Sequence, residues 1–163
     1  MKTPTIFICL TLAVAAHSAA HADQAREAIG QLDAALVKFG AARTQGTEDV
    51  KGRIVPTLLF GDHKINNQYD VVDALQKANW ATATVFVKDG AEFVRVSTNV
   101  LTPDHKRGVG TLLAHNVAYD ALLKGAEYCG PIEVLGKSYD ACYHPIKDRV
   151  GATIGASYIG YKK

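Results

Sequence analysis

The second half of the chain has the residue pattern of β-strands, and this pattern limits the fold more than any other feature. From Ala83 onward, apolar residues occur in short runs with a period of two, and glycine-rich turns separate the runs. ATVFV and EFVRVSTNV flank the turn KDG at 88–90, whose Asp-Gly pair accepts the backbone angles of a tight hairpin. IEVLG, SYDACYHPI and ATIGASYIGY have the same character. The pattern predicts about five strands in an antiparallel sheet.

Helical spacing precedes this sheet and interrupts it once. Residues 23 to about 51 are rich in helix-forming residues, so we predict a long amphipathic helix that ends near Gly52. We expect residues 56–80 to begin as a loop and to continue as a second helix, and a third helix to lie around 115–124. The apolar stripe of the first helix consists of Ile29, Leu32, Leu36 and Phe39. The predicted fold class is α+β.

The N-terminus has the features of a secretory signal peptide. Lys2 precedes the apolar run of residues 6–16, and Ala20-His21-Ala22 matches an A-x-A cleavage pattern. The run is about half the roughly 20 residues that a membrane span requires, which disfavours an uncleaved anchor. We therefore predict that residues 1–22 are removed and that residues 23–163 form one domain in the periplasm.

Composition and motifs disfavour several classes of function. The net charge is only +2, with 18 basic and 16 acidic residues interleaved, so nucleic acid is not an expected partner. The chain has no G-x-S-x-G, H-E-x-x-H, P-loop or G-x-G-x-x-G motif. We predict a protein that is not an enzyme and that needs no cofactor.

Two cysteines remain after the predicted cleavage, Cys129 and Cys142, in a compartment where thiols are oxidised. A disulfide between them is the favoured interpretation. The alternative is a metal site that also uses His144, but the paired C-x-x-C spacing of strong zinc motifs is missing. We therefore predict a disulfide and no metal.

A hairpin register follows if the turn is centred between residues 135 and 136, because opposite residues in a hairpin have position numbers with a constant sum. Cys129 then faces Cys142, and Tyr128 faces Tyr143. Tyr139 lies on the same face as Tyr143, because side chains alternate along a strand. A face lined by tyrosines results, unless Gly130-Pro131 forces a bulge.

EFVRVSTNV places an arginine among valines in a predicted strand. Strict alternation puts two sets of side chains on opposite faces: Phe93, Arg95, Ser97 and Asn99 on one, and Val94, Val96 and Thr98 on the other. We expect the valine face to meet the core. The arginine face is solvent or pocket, and the pattern alone favours solvent.

Four motifs, in chain order, resemble those of one family: FGDHKINNQYDVVD, ATVFVKDGAEFVRVSTNV, RGVGTLLAHN and YDACYHPIKDRVGATIGASYIGY. They are similar to the Cache-type sensory domains of bacteria, specifically the Cache 3/Cache 2 fusion class. The resemblance covers about residue 23 to the C-terminus. It implies a PAS-like fold in which a long N-terminal helix packs on one side of a curved antiparallel sheet. It also implies that a small organic acid or amino acid binds on the other side.

The resemblance also implies roles for particular residues. In related acid-sensing domains, an arginine on this strand and a polar residue three positions later engage a carboxylate, which corresponds to Arg95 and Thr98. Alternation instead favours Ser97 and Asn99 as the neighbours of Arg95. We expect the remaining pocket lining to come from Tyr128, Tyr139 and Tyr143.

Relatives of this kind are the periplasmic parts of chemoreceptors and sensor kinases. This sequence ends at Lys163, just after the last predicted strand. We therefore expect a free-standing domain that either presents its ligand to a membrane chemoreceptor or sensor kinase or buffers that ligand. The alternative is a protein-interaction module that docks on a membrane receptor and has a vestigial pocket.

Overall fold

The structure is a computed structural model that describes the backbone of residues 12–163 and the side chains of residues 23–163. Residues 1–11, which hold part of the predicted signal peptide, lie outside the described residues. Residues 12–22 belong to the first helix. The predicted cleavage before Asp23 stays a prediction. Among the described residues, no helix has both the length and the apolar character that a membrane crossing needs.

The chain folds into three helices and two antiparallel sheets, which confirms the predicted α+β class. A three-stranded sheet has the order β1-β2-β3, and a five-stranded sheet has the order β5-β4-β8-β7-β6. The elements are α1 (Leu12–Val37), β1 (Ala42–Val50), β2 (Arg53–Phe60), β3 (His63–Lys64), α2 (Asp70–Asn79), β4 (Thr82–Asp89), β5 (Glu92–Thr98), α3 (Val117–Leu123), β6 (Tyr128–Val134), β7 (Lys137–Lys147) and β8 (Thr153–Lys162).

The first helix packs on the five-stranded sheet across β7 and β8. Ile29, Leu32 and Leu36 of the predicted stripe are fully or almost fully buried. Phe39 lies beyond the end of the helix, is 43% exposed and stacks on His63 with ring centroids 3.8 Å apart. The apolar stripe therefore ends one turn earlier than its spacing predicts.

The predicted helix over 23–51 and the predicted loop from Pro56 are wrong in part. The helix ends at Val37, and residues 42–50 and 53–60 pair as the hairpin of β1 and β2. Gly40 explains the break, because its φ is +132° and a Cβ there would lie 2.8 Å from the Cα of Gly61. This close approach favours glycine and stops the helix.

Both faces of the five-stranded sheet are covered, each by its own core. On one face, α1 and α2 cover a core that includes Val94 and Val96 of β5, as the alternation predicts. On the other face, α3 and the loop that precedes it cover aromatic residues such as Phe86 and Tyr143. We call this second face the tyrosine face; it comprises Tyr128, Tyr139, Tyr143 and Tyr158.

The hairpin of β6 and β7 has the predicted register. Tyr128 lies opposite Tyr143 and Cys129 opposite Cys142, and the pairing continues without a bulge through Pro131. The predicted disulfide is confirmed, since Cys129 and Cys142 are bonded with their Cα atoms 4.1 Å apart. The bond joins two neighbouring strands, so it holds the edge strand β6 to the sheet.

Candidate ligand-binding site

A β-bulge in β5 decides which side chains share a face with Arg95. Phe86 of β4 lies opposite Arg95, whereas its neighbour Val85 lies opposite Ser97. Val96 is therefore an extra residue in β5. Such an insertion interrupts the alternation of side chains along a strand.

The bulge places Thr98, and not Ser97 or Asn99, on the face of Arg95. Thr98 lies opposite Thr84, and their Oγ1 atoms are 2.6 Å apart. Ser97 points to the other side, where its Oγ donates to the carbonyl of Gln68 at 2.5 Å.

Asn99 also points away from Arg95. Its Nδ2 donates to the carbonyl of Val72 in α2 at 2.7 Å, and its Oδ1 accepts from the backbone N–H of Ala83. The prediction from strict alternation that Ser97 and Asn99 share a face with Arg95 is wrong. Arg95 and Thr98 share a face, as the resemblance implies.

Arg95 is buried, with 2% of its surface exposed, although the strand pattern alone favoured solvent. Its Cζ lies 4.8 Å from the centroid of the Phe86 ring, and its Nη1 donates to Thr111 Oγ1. Among the described residues, no carboxylate forms an ion pair with Arg95, and its Nε has no hydrogen-bond partner. The site therefore contains a buried cation that forms no ion pair with a carboxylate of the described residues.

Three tyrosine hydroxyl groups act on the pKa of this cation. Burial lowers the pKa of the Arg95 guanidinium, while Tyr143, Tyr158 and Tyr139 act in the opposite direction. Burial also raises the pKa of the Tyr143 and Tyr158 hydroxyls. An arginine keeps its charge even so, because its intrinsic pKa is far above neutrality. Arg95 therefore carries a positive charge at neutral pH.

Three tyrosines stand side by side across β6, β7 and β8. The ring centroids of Tyr128 and Tyr143 are 6.5 Å apart, and those of Tyr143 and Tyr158 are 4.9 Å apart. The hydroxyl of Tyr143 is buried and has no hydrogen-bond partner among the described residues. That of Tyr128 instead donates to the carbonyl of Pro131. Tyr143 is therefore the hydroxyl available beside Arg95.

Sequence reasoning missed two residues of this site. Tyr158 could have been found, since alternation along β8 and pairing with β7 place it opposite Tyr143. Thr111 could not have been found from the sequence. It lies 16 residues from Arg95 in the chain, and no local pattern predicts their contact.

A cavity of about 40 Å³ lies between Arg95, Tyr143 and the loop of residues 99–116, which we call the covering loop. One water molecule needs roughly 10–15 Å³ measured in this way, so the cavity has space for a few waters. Its lining consists of Arg95, Leu112, Leu113, Ala114, Asn116, Glu133, Val134, Leu135 and Tyr143. A ligand larger than a few atoms therefore requires the covering residues to move.

The covering loop is attached to β5 by backbone hydrogen bonds. Leu113 donates to the carbonyl of Phe93, and Arg95 donates to the carbonyl of Thr111, both at 2.9 Å. Gly110 in turn donates to the carbonyl of Arg95 at 2.8 Å. The loop thus behaves as an extra strand at the edge of the sheet.

Arg107 ties the same loop to α2. Its two terminal nitrogens pair with the Asp73 carboxylate at 2.7 and 2.8 Å, and its Cζ lies 4.5 Å from the Tyr69 ring centroid. Arg107 also donates to the carbonyl of Thr98. The contrast with Arg95 is direct, because Arg107 has the carboxylate partner that Arg95 lacks.

The alternative of a cysteine and histidine metal site is not compatible with the structure. Cys129 and Cys142 are joined to each other, so neither sulfur is a free thiolate. His144 instead makes contact through Nδ1 with Asp33 at 2.7 Å. Within residues 23–163, no cluster of three or more potential metal ligands is found.

The three helices and the two antiparallel sheets define an α+β domain of the PAS-like class. The model of the family described as the Cache 3/Cache 2 fusion domain matches residues 11–163. The chain belongs to this family, as its motifs indicate. Cache domains are extracytoplasmic sensory domains for small molecules. No curated protein and no solved structure matches the chain.

Proposed function

We propose that this domain binds a small organic acid or amino acid and that Arg95 is the carboxylate anchor. The observation that carries the proposal is the buried guanidinium without a carboxylate partner among the described residues. Burying an unpaired charge is costly, and a ligand carboxylate would offset that cost. A guanidinium also matches the two oxygens of a carboxylate, which adds geometric specificity.

The groups around Arg95 support a short ligand. Tyr143 lines the cavity with a hydroxyl that has no described partner, so it is able to donate to a carboxylate oxygen. Leu112, Leu113 and Leu135 supply an apolar wall. Glu133 lines the cavity too, and its side chain would meet the ammonium group of an amino acid. Thr98 lies on the Arg95 face of β5, but its Oγ1 is hydrogen-bonded to Thr84 Oγ1 and Thr98 is not among the residues that line the cavity.

Membership of the family supports a place of action outside the cytoplasm. We propose that the domain works in the periplasm and delivers its ligand state to a membrane chemoreceptor or sensor kinase. The predicted signal peptide and the disulfide support this location, because structural disulfides form in oxidising compartments.

The small cavity favours one second candidate. At about 40 Å³ it is far below the 300–1,000 Å³ typical of ligand pockets, which is what a vestigial pocket would show. In that case the domain is a protein-interaction module that docks on a membrane receptor. Ligands would then produce no stabilisation, while purification from periplasm would recover a membrane protein.

A thermal-shift screen against short carboxylic acids and amino acids separates the two candidates. We expect at least one acid to raise the melting temperature, and calorimetry to give its affinity. Arg95→Gln should weaken that affinity at least tenfold, since charge-assisted hydrogen bonds contribute about 1.5–3 kcal/mol. Arg53→Gln is the matched control, because Arg53 is an exposed arginine on β2. Equal affinities of the Arg95→Gln variant and the native protein would show that the anchor assignment is wrong.

A further inference from the structure

His144 of β7 lies between two carboxylates that come from different parts of the chain. Its Nδ1 is 2.7 Å from Oδ2 of Asp33 in α1, and its Nε2 is 3.3 Å from Oε2 of Glu127, just before β6. His144, Asp33 and Glu127 are exposed over 26%, 34% and 64% of their side chains, so protons reach them from the solvent. The proposed function makes no use of these three residues.

Asp33 attaches α1 to two strands of the sheet. Its Oδ1 accepts from Ser157 Oγ of β8 at 2.6 Å, and its Oδ2 contacts His144 of β7. Leu32 and Leu36, on the same helix, are buried in the core between α1 and the sheet. Asp33 therefore adds a polar attachment of α1 beside an apolar contact.

The contacts of His144 depend on how many protons its ring carries. A neutral imidazole has one N–H group, whereas an imidazolium has two. Only the imidazolium can therefore direct an N–H towards Asp33 and another towards Glu127. In the neutral ring, one nitrogen would present a lone pair to a carboxylate oxygen, and that contact would be repulsive.

The charged groups around His144 come from α1 and from the residues before β6. The hydrogen bond to Asp33 is the main cause that raises the pKa of His144, and Glu127 acts in the same direction. Partial burial and the cation Arg26 of α1 act against this rise in the pKa. The residue opposite His144 in β8 is Ser157, whose hydroxyl does not titrate in this range. The carboxylates therefore determine the direction of the shift.

We propose that His144, Asp33 and Glu127 form a proton-binding latch that holds α1 on the five-stranded sheet. The latch forms when His144 is charged and is lost when the ring gives up its proton. The folded chain binds this proton more tightly than the unfolded chain does. The latch should therefore be complete below about pH 6.5 and be lost as the pH rises through the raised pKa of His144. The domain thus responds to pH through how firmly α1 is held.

The latch lies on the same segments of β7 and β8 as the Arg95 site, but on the opposite face. Tyr143 precedes His144 and lies opposite Tyr158, while His144 lies opposite Ser157. Successive side chains of a strand point to opposite faces of the sheet. Proton binding at the latch is therefore separate from ligand binding on the tyrosine face, although the two sites share these strand segments.

Hydrogen–deuterium exchange of the purified protein from about pH 6 to about pH 9 measures how firmly α1 is held. The exchange rates of residues 24–37, divided by the intrinsic rates at each pH, give the protection of α1. We expect this protection to fall about threefold to tenfold over the series, because bonds to charged groups are strong but these groups are partly exposed. The His144→Gln variant should show the same protection at every pH. His115→Gln is the matched control and should keep the fall, because His115 pairs with Glu92 of β5.

NMR titration of the His144 ring tests the number of protons directly. At about pH 6, the chemical shifts of both ring nitrogens should be those of N–H groups. Asp33→Asn keeps an oxygen that accepts from Ser157 but removes the charge, so it should lower the pKa of His144.

The proposal is overturned if the protection of α1 in the native protein does not fall as His144 loses its proton, or if the His144→Gln variant shows the same fall. A His144 ring with only one N–H group at about pH 6 would also overturn it. These measurements need no ligand and do not involve Arg95. The latch and the proposed function therefore fail independently of each other.

Discussion

Replacing Arg95 by methionine tests whether the Arg95 guanidinium serves to bind a ligand or to stabilise the folded protein. Methionine has a similar length and is apolar, so it fills the space without a charge. A side chain kept for folding should be costly to lose. A side chain kept for a ligand should cost little in the unliganded protein and should abolish the response to the ligand.

The net contribution of Arg95 to the free energy of unfolding can be estimated from its contacts. Dehydrating the guanidinium costs several kcal/mol, and its unpartnered Nε adds about 1–3 kcal/mol. Against this, the hydrogen bond to Thr111 contributes about 1.5–3 kcal/mol and the stacking over Phe86 about 2 kcal/mol. The terms nearly cancel. We expect the free energy of unfolding of Arg95→Met to be equal to that of the native protein or up to about 2 kcal/mol higher.

Urea denaturation without ligand measures this difference. Arg107→Met is the matched control, because that arginine pairs with Asp73 and its loss leaves a carboxylate without its partner. We expect the control to lose about 1–2 kcal/mol, since the pair is partly exposed. If Arg95→Met is less stable than the native protein by more than about 2 kcal/mol, Arg95 is a structural residue and the reasoning is refuted.

Three other changes have defined outcomes. Tyr143→Phe removes a buried hydroxyl without a described partner, so urea denaturation should show a change in stability within about 1 kcal/mol, while calorimetry should show weaker acid binding. The hydrogen bond to Asp33 is the main cause that raises the pKa of His144. The stabilisation that protonated His144 provides should be complete below about pH 6.5 and should be lost as the pH rises through its raised pKa. In the His144→Gln variant, the free energy of unfolding should not show this pH dependence. Alanine at both Cys129 and Cys142 should lower the free energy of unfolding by about 3 kcal/mol for the 13-residue separation, and equal urea midpoints would contradict this.

Local patterns predicted the parts of the fold that depend on neighbouring residues. The register of β6 and β7 followed from one turn position, and it correctly placed Cys129 opposite Cys142. The three-stranded sheet was missed because its first strand, residues 42–50, is mostly polar and is stabilised by pairing with β2. That pairing also depends on the approach of Gly40 to Gly61, which no periodicity expresses.

The candidate site could be predicted only in part for the same reason. Arg95 and the tyrosine face are visible in the sequence as residue types and alternation. The bulge at Val96 is set by how β5 pairs with β4, so alternation assigned Ser97 to the wrong face. The burial of Arg95 depends on the covering loop, whose Thr111 reaches it across 16 residues of chain. Contacts between residues so far apart in the chain form only in the folded structure, so local sequence patterns do not predict them.

A crystal structure with the acid that gives the largest thermal shift tests the central claim most directly. We predict that its carboxylate lies within hydrogen-bond distance of the Arg95 guanidinium, including Nε, and of the Tyr143 hydroxyl. We also predict that the covering loop around Leu112 and Leu113 has moved to enlarge the cavity. An acid bound elsewhere, with Arg95 Nε still without a partner, would contradict the account.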